Sequence, residues 1–187
     1  MLRSKCIEAI YSELQDKLVV TIMGACAQEL YNLGHCDNFF YLEHAMGMAS
    51  SIGLGLASAL GAAVARPDRL TVAALGDGGF LMSVAELTTA VRLRLPLVVI
   101  VYDDAAYGAE VHHFGPGGHP LDAVTFPDAD LAAIARGFGC AGVTVRAPAD
   151  LAPARDWLTA RDRPLVVDAK VVSTRASWWL EEAFRGH

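Results

Sequence analysis

Two acidic turns, Gly76-Asp77-Gly78 and Asp103-Asp104, each follow directly on a run of strand-forming apolar residues. The runs are Leu70 to Leu75 and Pro96 to Val101, and the amphipathic stretch Phe80 to Leu95 lies between them. A near-continuous aliphatic and β-branched run marks a strand buried on both faces, and a helix-length crossover makes the second strand parallel to the first. The strand-helix-strand unit therefore brings both acidic turns to the same edge of one sheet. In open parallel sheets that carboxyl edge is where loops and helix N-termini converge on ligands. Two carboxylates there suit a metal, and glycines beside one of them let backbone approach a bulky anion. Mg²⁺ sharing oxygen ligands with a diphosphate satisfies both requirements. On spacing alone a plainer reading stays open, with Asp77 as a helix N-cap and Asp103-Asp104 as an ordinary turn.

The rest of the chain repeats the same alternation. Ser4 to Gln15 carries Cys6, Ile7, Ile10, Tyr11 and Leu14 at helical spacing. Leu18 to Met23 reads as a strand, Gly24-Ala25-Cys26-Ala27 as a small-residue turn, Gln28 to Leu33 as a short helix and Phe39 to Leu42 as a short strand. The Ala/Gly-rich stretch Ala45 to Ala65 is long enough to suggest a membrane span. Its small residues Ala49, Gly53, Ala57 and Gly61 instead recur every four positions, giving a smooth helix face for close packing in a core or at a subunit interface. Phe114-Gly115-Pro116-Gly117-Gly118-His119-Pro120 suits neither helix nor strand and is expected to be a mobile loop at the ligand edge. Asp128 to Gly139 and Ala149 to Arg161 read as helices, Gly142 to Val145 and Pro164 to Val172 as strands, and Ser177 to Phe184 as a terminal helix. Such alternation predicts an α/β fold, a doubly wound and mostly parallel sheet with helices on both faces.

At 187 residues without repeat or linker, a single domain over residues 1–187 is expected. The net charge of −6, with no Lys/Arg run, argues against nucleic acid as a partner. The four cysteines lack CxxC spacing, which suits reduced thiols, and Met1 to Lys17 has no apolar core of a signal peptide. A cytoplasmic protein is expected. An NAD-binding Rossmann domain is excluded, because Gly76-Asp77-Gly78-Gly79 lacks GxGxxG spacing and no acidic residue ends a second strand in a ribose-binding role.

Gly76-Asp77-Gly78, some twenty residues and then Asp103-Asp104-Ala105-Ala106-Tyr107-Gly108 resembles the diphosphate-binding motif of thiamine diphosphate-dependent enzymes. Ala45-Met46-Gly47-Met48 resembles the segment of the same domain that holds the aminopyrimidine ring. Tyr41 to Ala57 (YLEHAMGMASSIGLGLA) is similar to the β subunits of sulfopyruvate decarboxylase and the matching domain of phosphonopyruvate decarboxylase. Tyr107 to His113 is instead similar to acetolactate synthase-like proteins.

The resemblance implies that Asp77 and Asp104 coordinate Mg²⁺ through their side chains and Ala106 through its carbonyl oxygen. Gly76, Gly78, Gly79, Tyr107 and Gly108 would line the cofactor, with amides around Gly78 and Gly79 facing its diphosphate. Met46 would prop the bent cofactor beside Ala45, and the His44 carbonyl would accept from the 4′-amino group. Glu110 falls where related decarboxylases place a proton-handling carboxylate, and His44 is the second catalytic candidate. His112 and His113 are candidates for contact with an anionic substrate. The chain departs from the family at Asp103, where Asn is usual, and at His44, where Gly is frequent. Unless Asp103 is paired or turned away, its charge would weaken cofactor binding.

The resemblance further implies that the pyrimidine-binding domain, which supplies the activating glutamate, is missing here and resides on a partner α subunit in an α₂β₂-type assembly. The expected activity is that of the β subunit of a thiamine diphosphate- and Mg²⁺-dependent decarboxylase for a small 2-oxo acid. A carboligase subunit and a non-catalytic diphosphate-binding module are the alternatives.

Overall fold

The apolar runs become strands covered on both sides. The computed structural model describes residues 2–22, 25–42 and 49–175. It contains one sheet of six parallel strands in the order β2-β1-β3-β4-β6-β5. These are β1 (Leu18–Ile22), β2 (Phe39–Leu42), β3 (Thr71–Gly76), β4 (Leu97–Asp103), β5 (Ala141–Val145) and β6 (Leu165–Lys170). Alternate side chains of each strand enter different cores. Ala73, Leu75, Leu97, Val99 and Val101 pack on one face with α3 (Ala49–Ala65), α4 (Asp77–Ser83), α5 (Leu87–Arg92) and α7 (Leu131–Gly137). Val72, Ala74, Val98 and Tyr102 pack on the other with α1 (Arg3–Leu14), α2 (Ala25–Leu33) and α8 (Ala152–Ala160). A strand buried on both faces has no polar side, which is why its sequence shows no alternation.

The chain leaves β1 for β2 on one side and reaches β3 on the other, so the strand order reverses between β1 and β3. Ligands of doubly wound sheets bind outside the carboxyl ends of strands at such a reversal. β3 and β4 lie beside it, paired from Thr71–Leu97 to Gly76–Tyr102. Both acidic turns leave the sheet at this edge.

Several expected elements differ in detail. The crossover expected as one helix over Phe80 to Leu95 begins at Asp77 and is broken into α4, a 3₁₀ turn over Val84–Glu86, and α5. On either side of the break Ser83 Oγ donates back to the Gly79 carbonyl at 2.8 Å and Thr88 Oγ1 to the Ala85 carbonyl at 2.7 Å. Such back-bonding competes with the helical ladder and bends it. The turn expected at Ala25 to Ala27 is already the first turn of α2. Asp130 caps α7 by accepting from Ala133 N at 2.7 Å, which starts that helix later than Asp128. The stretch from Phe114 to Pro120 follows an unexpected helix, α6 (Gly108–Phe114), and holds a 3₁₀ turn closed by Gly118 N donating to Gly115 O at 2.9 Å. The terminal helix expected over Ser177 to Phe184 lies outside the described residues.

On α3 the buried side is Leu56, Ala59, Leu60 and Ala63, whereas Ala57 and Gly61 of the small-residue stripe are exposed beside Val64. The described part of the smooth face therefore does not serve this chain's core. Among the described residues no helix is long and apolar enough to cross a membrane.

At Gly142 the backbone packs closely, since a Cβ there would lie 2.3 Å from the carbonyl oxygen of Ala132 in α7. A backbone atom cannot rotate aside. Gly142→Ala is expected to destabilise the fold by about 3 kcal/mol, the upper part of the overpacking range, as read by urea denaturation.

Candidate functional site

β3 ends in Gly76, which is extended, and the chain turns at once into α4. This places Asp77 at the first helical position, not at the N-cap, and its carboxylate does not bond as a cap would. One oxygen accepts from the adjacent Gly78 N at 2.8 Å, and the other reaches across to accept from Ala106 N at 3.1 Å. Asp77 thereby joins the two turns, and it is 4 % exposed. Burial, and then the neighbouring Asp104 carboxylate, push its carboxyl up to about 7. Two backbone N–H groups thus donate to a buried carboxylate that still resists ionisation, because burial and the Asp104 charge outweigh them.

The second turn is held from both ends. Asp103 Oδ1 accepts from Ala105 N at 3.0 Å, and Ala105 takes a left-handed conformation, φ 57°. Beyond it, Ala106 pairs antiparallel with Thr125, fixed by Tyr107 N donating to Val124 O at 2.8 Å and Phe126 N to Ala105 O at 2.7 Å. In a pair bonded through its neighbours, the residue's own N–H and C=O point away from the partner strand. The Ala106 amide faces Asp77 for this reason, and its carbonyl projects to the same side.

Glycine lets these parts meet. A Cβ on Gly78 would lie 2.4 Å from the Tyr107 ring, and a Cβ on Gly108 would lie 2.5 Å from Asp104 Oδ2. Tyr107 is held in turn by Phe126, edge to face at 4.8 Å. Because Gly108 opens α6 with φ in the ordinary range, alanine there should favour the helix while crowding the Asp104 carboxylate. Gly108→Ala is expected to leave the urea midpoint unchanged or raised; in the metal site proposed below it would weaken Mg²⁺ binding about tenfold, the scale of losing orientation around a metal.

The structure thus brings together Gly76, Asp77, Gly78, Asp104, Ala106, Tyr107 and Gly108, with Gly79 buried in the first turn of α4. Glu110 lies in the first turn of α6 and is exposed, His112 is half-buried, and His113 is exposed with its ring 4.7 Å from Phe114. His44, Ala45 and Met46 lie outside the described residues.

Sequence reasoning missed the partners of Asp103. Its Oδ2 accepts from Lys170 Nζ at 2.5 Å, and the same ammonium meets Asp128 Oδ1 at 2.7 Å, Asp168 Oδ2 at 3.3 Å and the Ala129 carbonyl at 2.5 Å. Burial alone would lower the Lys170 ammonium, but bonds to Asp103 and Asp128 overcome it and hold the group above its usual range. Asp168, fully buried, is pushed up to about 6 by that burial despite Lys170. The signal was present as Asp168-Ala169-Lys170, two charges on one face of an otherwise apolar strand. Asp103 is therefore paired.

Among the described residues no cluster of three or more His, Cys, Asp or Glu side chains could hold a metal ion. Two carboxylates and one carbonyl make an incomplete oxygen set, of the kind Mg²⁺ uses when phosphate oxygens and water supply the rest. An all-parallel doubly wound sheet with two acidic turns at its carboxyl edge defines an α/β domain of the ligand-binding, doubly wound kind. The thiamine pyrophosphate enzyme C-terminal TPP-binding domain matches residues 23–169, so the chain belongs to the thiamine pyrophosphate enzyme family.

Acetolactate synthase of Bacillus subtilis is 35% identical over 121 residues, 65% of this chain and 21% of that protein. Sulfopyruvate decarboxylase subunit beta of Methanothermobacter thermautotrophicus is 37% identical over 107 residues, 56% of this chain and 54% of the subunit. The thiamine diphosphate-dependent 4-hydroxybenzoylformate decarboxylase of Rhodococcus jostii superposes with a TM-score of 0.78 at 21% identity, covering 95% of this chain and 33% of that one. The chain spans between about a fifth and about a half of the length of these curated relatives.

Proposed function

We propose that this chain is the diphosphate-binding β subunit of a two-chain, Mg²⁺-dependent thiamine diphosphate enzyme that decarboxylates a small 2-oxo acid. The observation that carries this reading is the Asp77 carboxylate, buried, reluctant to ionise and bonded across to Ala106 beside Asp104. The residues present fit the group. Asp77, Asp104 and the Ala106 carbonyl supply hard oxygen donors, and Gly78 and Gly108 keep side chains out of the cradle. Gly78, whose amide donates to Asp77, and Gly79 stand at the positive start of α4, where an anion is favoured. Thiamine diphosphate, when bound, supplies the electron sink that loosens the bond between a carbonyl carbon and its carboxylate. His44, Ala45 and Met46 would hold the pyrimidine end, and Glu110, exposed at the start of α6, would hold or move a proton on the substrate side.

The two-chain arrangement is supported by the sulfopyruvate decarboxylase likeness, in which the matched relative is itself a β subunit. The activating glutamate would come from a pyrimidine-binding α subunit in an α₂β₂-type complex, docked partly on the exposed Ala57, Gly61 and Val64 side of α3. The acetolactate synthase likeness favours a second reading, in which the same subunit serves a carboligase.

The test is to purify the chain from its native source with whatever accompanies it and titrate thiamine diphosphate calorimetrically, with and without Mg²⁺. A companion chain and Mg²⁺-dependent binding support the proposal, and an aldehyde as sole product from a 2-oxo acid distinguishes it from the carboligase. Full turnover by the chain alone would rule out the partner, and absence of Mg²⁺-dependent binding would leave a diphosphate-binding fold without its chemistry.

A further inference from the structure

Asp103 presents a difficulty that the site itself does not resolve. It is 5 % exposed and precedes a metal-binding candidate, so a second ionised carboxylate would sit beside Asp104 with little water to screen it. Its two oxygens have separate tasks. One bends the chain by accepting from Ala105 N, and the other is bound by Lys170, whose side chain is 10 % exposed.

The backbone reinforces this tie, because β4 and β6 pair residue for residue from Val98–Leu165 to Asp103–Lys170, and Val171 N donates to Asp103 O at 2.9 Å. Lys170 also reaches Asp128 Oδ1 and Ala129 O, just beyond the Val124–Phe126 segment that grips Ala105 and Tyr107. One ammonium thus bonds both the start of the acidic turn and the 128–129 segment. A buried carboxylate left without such a partner is strongly unfavourable.

We propose that Lys170 is the positioning residue of the metal turn: it ties down the Asp103 carboxylate by an ion pair, clamps the 103–107 turn against the 124–129 segment, and leaves Asp104 as the carboxylate presented to the cation. This rests on the site reading above for the identity of the cation, though not for the clamp.

The experiment compares Lys170→Met, Asp103→Asn and the double variant, using the chain with any partner that accompanies it. Without ligand, hydrogen exchange is followed in the peptide covering 103–111. The clamp predicts faster exchange there in Lys170→Met and recovery in the double variant. In that variant the substituted amide has an oxygen to accept from Ala105 N, and Asp168, which keeps its bond from Leu131 N and is already raised by burial, is expected to take up a proton in place of its bond to Lys170. With Mg²⁺ and thiamine diphosphate, Lys170→Met should bind about tenfold or more weakly, with the double variant returning to within about threefold of Asp103→Asn.

Urea midpoints are measured alongside, and Lys170→Arg should retain both readouts. A lowered midpoint with unchanged exchange at 103–111, or a double variant no better than Lys170→Met, overturns the proposal. If the unsubstituted protein shows no Mg²⁺-dependent binding, the site reading fails, and the ligand-free exchange still decides the role of Lys170.

Discussion

Asp77→Asn is expected to weaken Mg²⁺-dependent thiamine diphosphate binding by about 100-fold or more, the scale of losing a charge-assisted ligand. It should do so without unfolding the chain, because two effects of opposite sign meet at this position. Asn retains one good acceptor where Asp has two, so either Gly78 N or Ala106 N is left facing an amide donor, at a cost of about 1–3 kcal/mol. Against this, Asn removes a buried charge.

Burial, and then the Asp104 carboxylate, push the Asp77 carboxyl of the folded chain up to about 7 from an ordinary 3.8. A carboxyl raised on folding contributes stability below its unfolded value, and that stability is lost as pH rises through the folded one. From this group the metal-free protein should therefore lose stability between about pH 4 and pH 7, with a ceiling of about 4 kcal/mol, and change little above. Urea unfolding in EDTA across that range should show the decline in the unsubstituted chain and a flatter profile in Asp77→Asn. Equal pH profiles would mean that Asp77 is not the strained group described here.

Phe80→Ala is expected to cost about 3–5 kcal/mol, the range for removing a fully buried aromatic side chain. Phe80 is completely buried and follows Gly78-Gly79 in the first turn of α4, packed in the core shared by α3, α4, α5 and the sheet. Small domains hold about 5–15 kcal/mol in all, so such a loss leaves a marginal protein. Its deficit should be partly recoverable. Ligand at a hundred times its dissociation constant returns about 2.7 kcal/mol by linkage. The urea midpoint of Phe80→Ala should thus fall sharply without ligand and rise again with Mg²⁺ and thiamine diphosphate, whereas Asp77→Asn should show no such rise. An unchanged midpoint without ligand would mean that this core does not support the turn.

These contrasts separate the legible from the illegible parts of the chain. The strand runs at Leu18, Leu70, Pro96 and Pro164 were readable because burial on both faces leaves no polar alternation, and the acidic turns were readable because they interrupt those runs. Breaks within the crossover were not, since Ser83 and Thr88 bond to local carbonyls that apolar periodicity does not report. The helix over Gly108–Phe114 was equally hidden, because a glycine start and an adjoining Gly-Pro-Gly suggest loop. The small-residue stripe on α3 indicated close packing, but only the fold shows that Ala57 and Gly61 face away from this chain's core.

The sequence by itself determined the parallel α/β architecture, the common edge of Asp77 and Asp104, and the family likeness, because all three depend on local pattern and spacing along the chain. Tertiary structure alone decided that Asp103 is paired with Lys170 from β6, that Ala106 turns its amide to Asp77, and that Tyr107 lies against Gly78. Those contacts join residues as many as 67 positions apart. They follow from strand order and register, which fix neighbours in space that no periodicity in the sequence encodes.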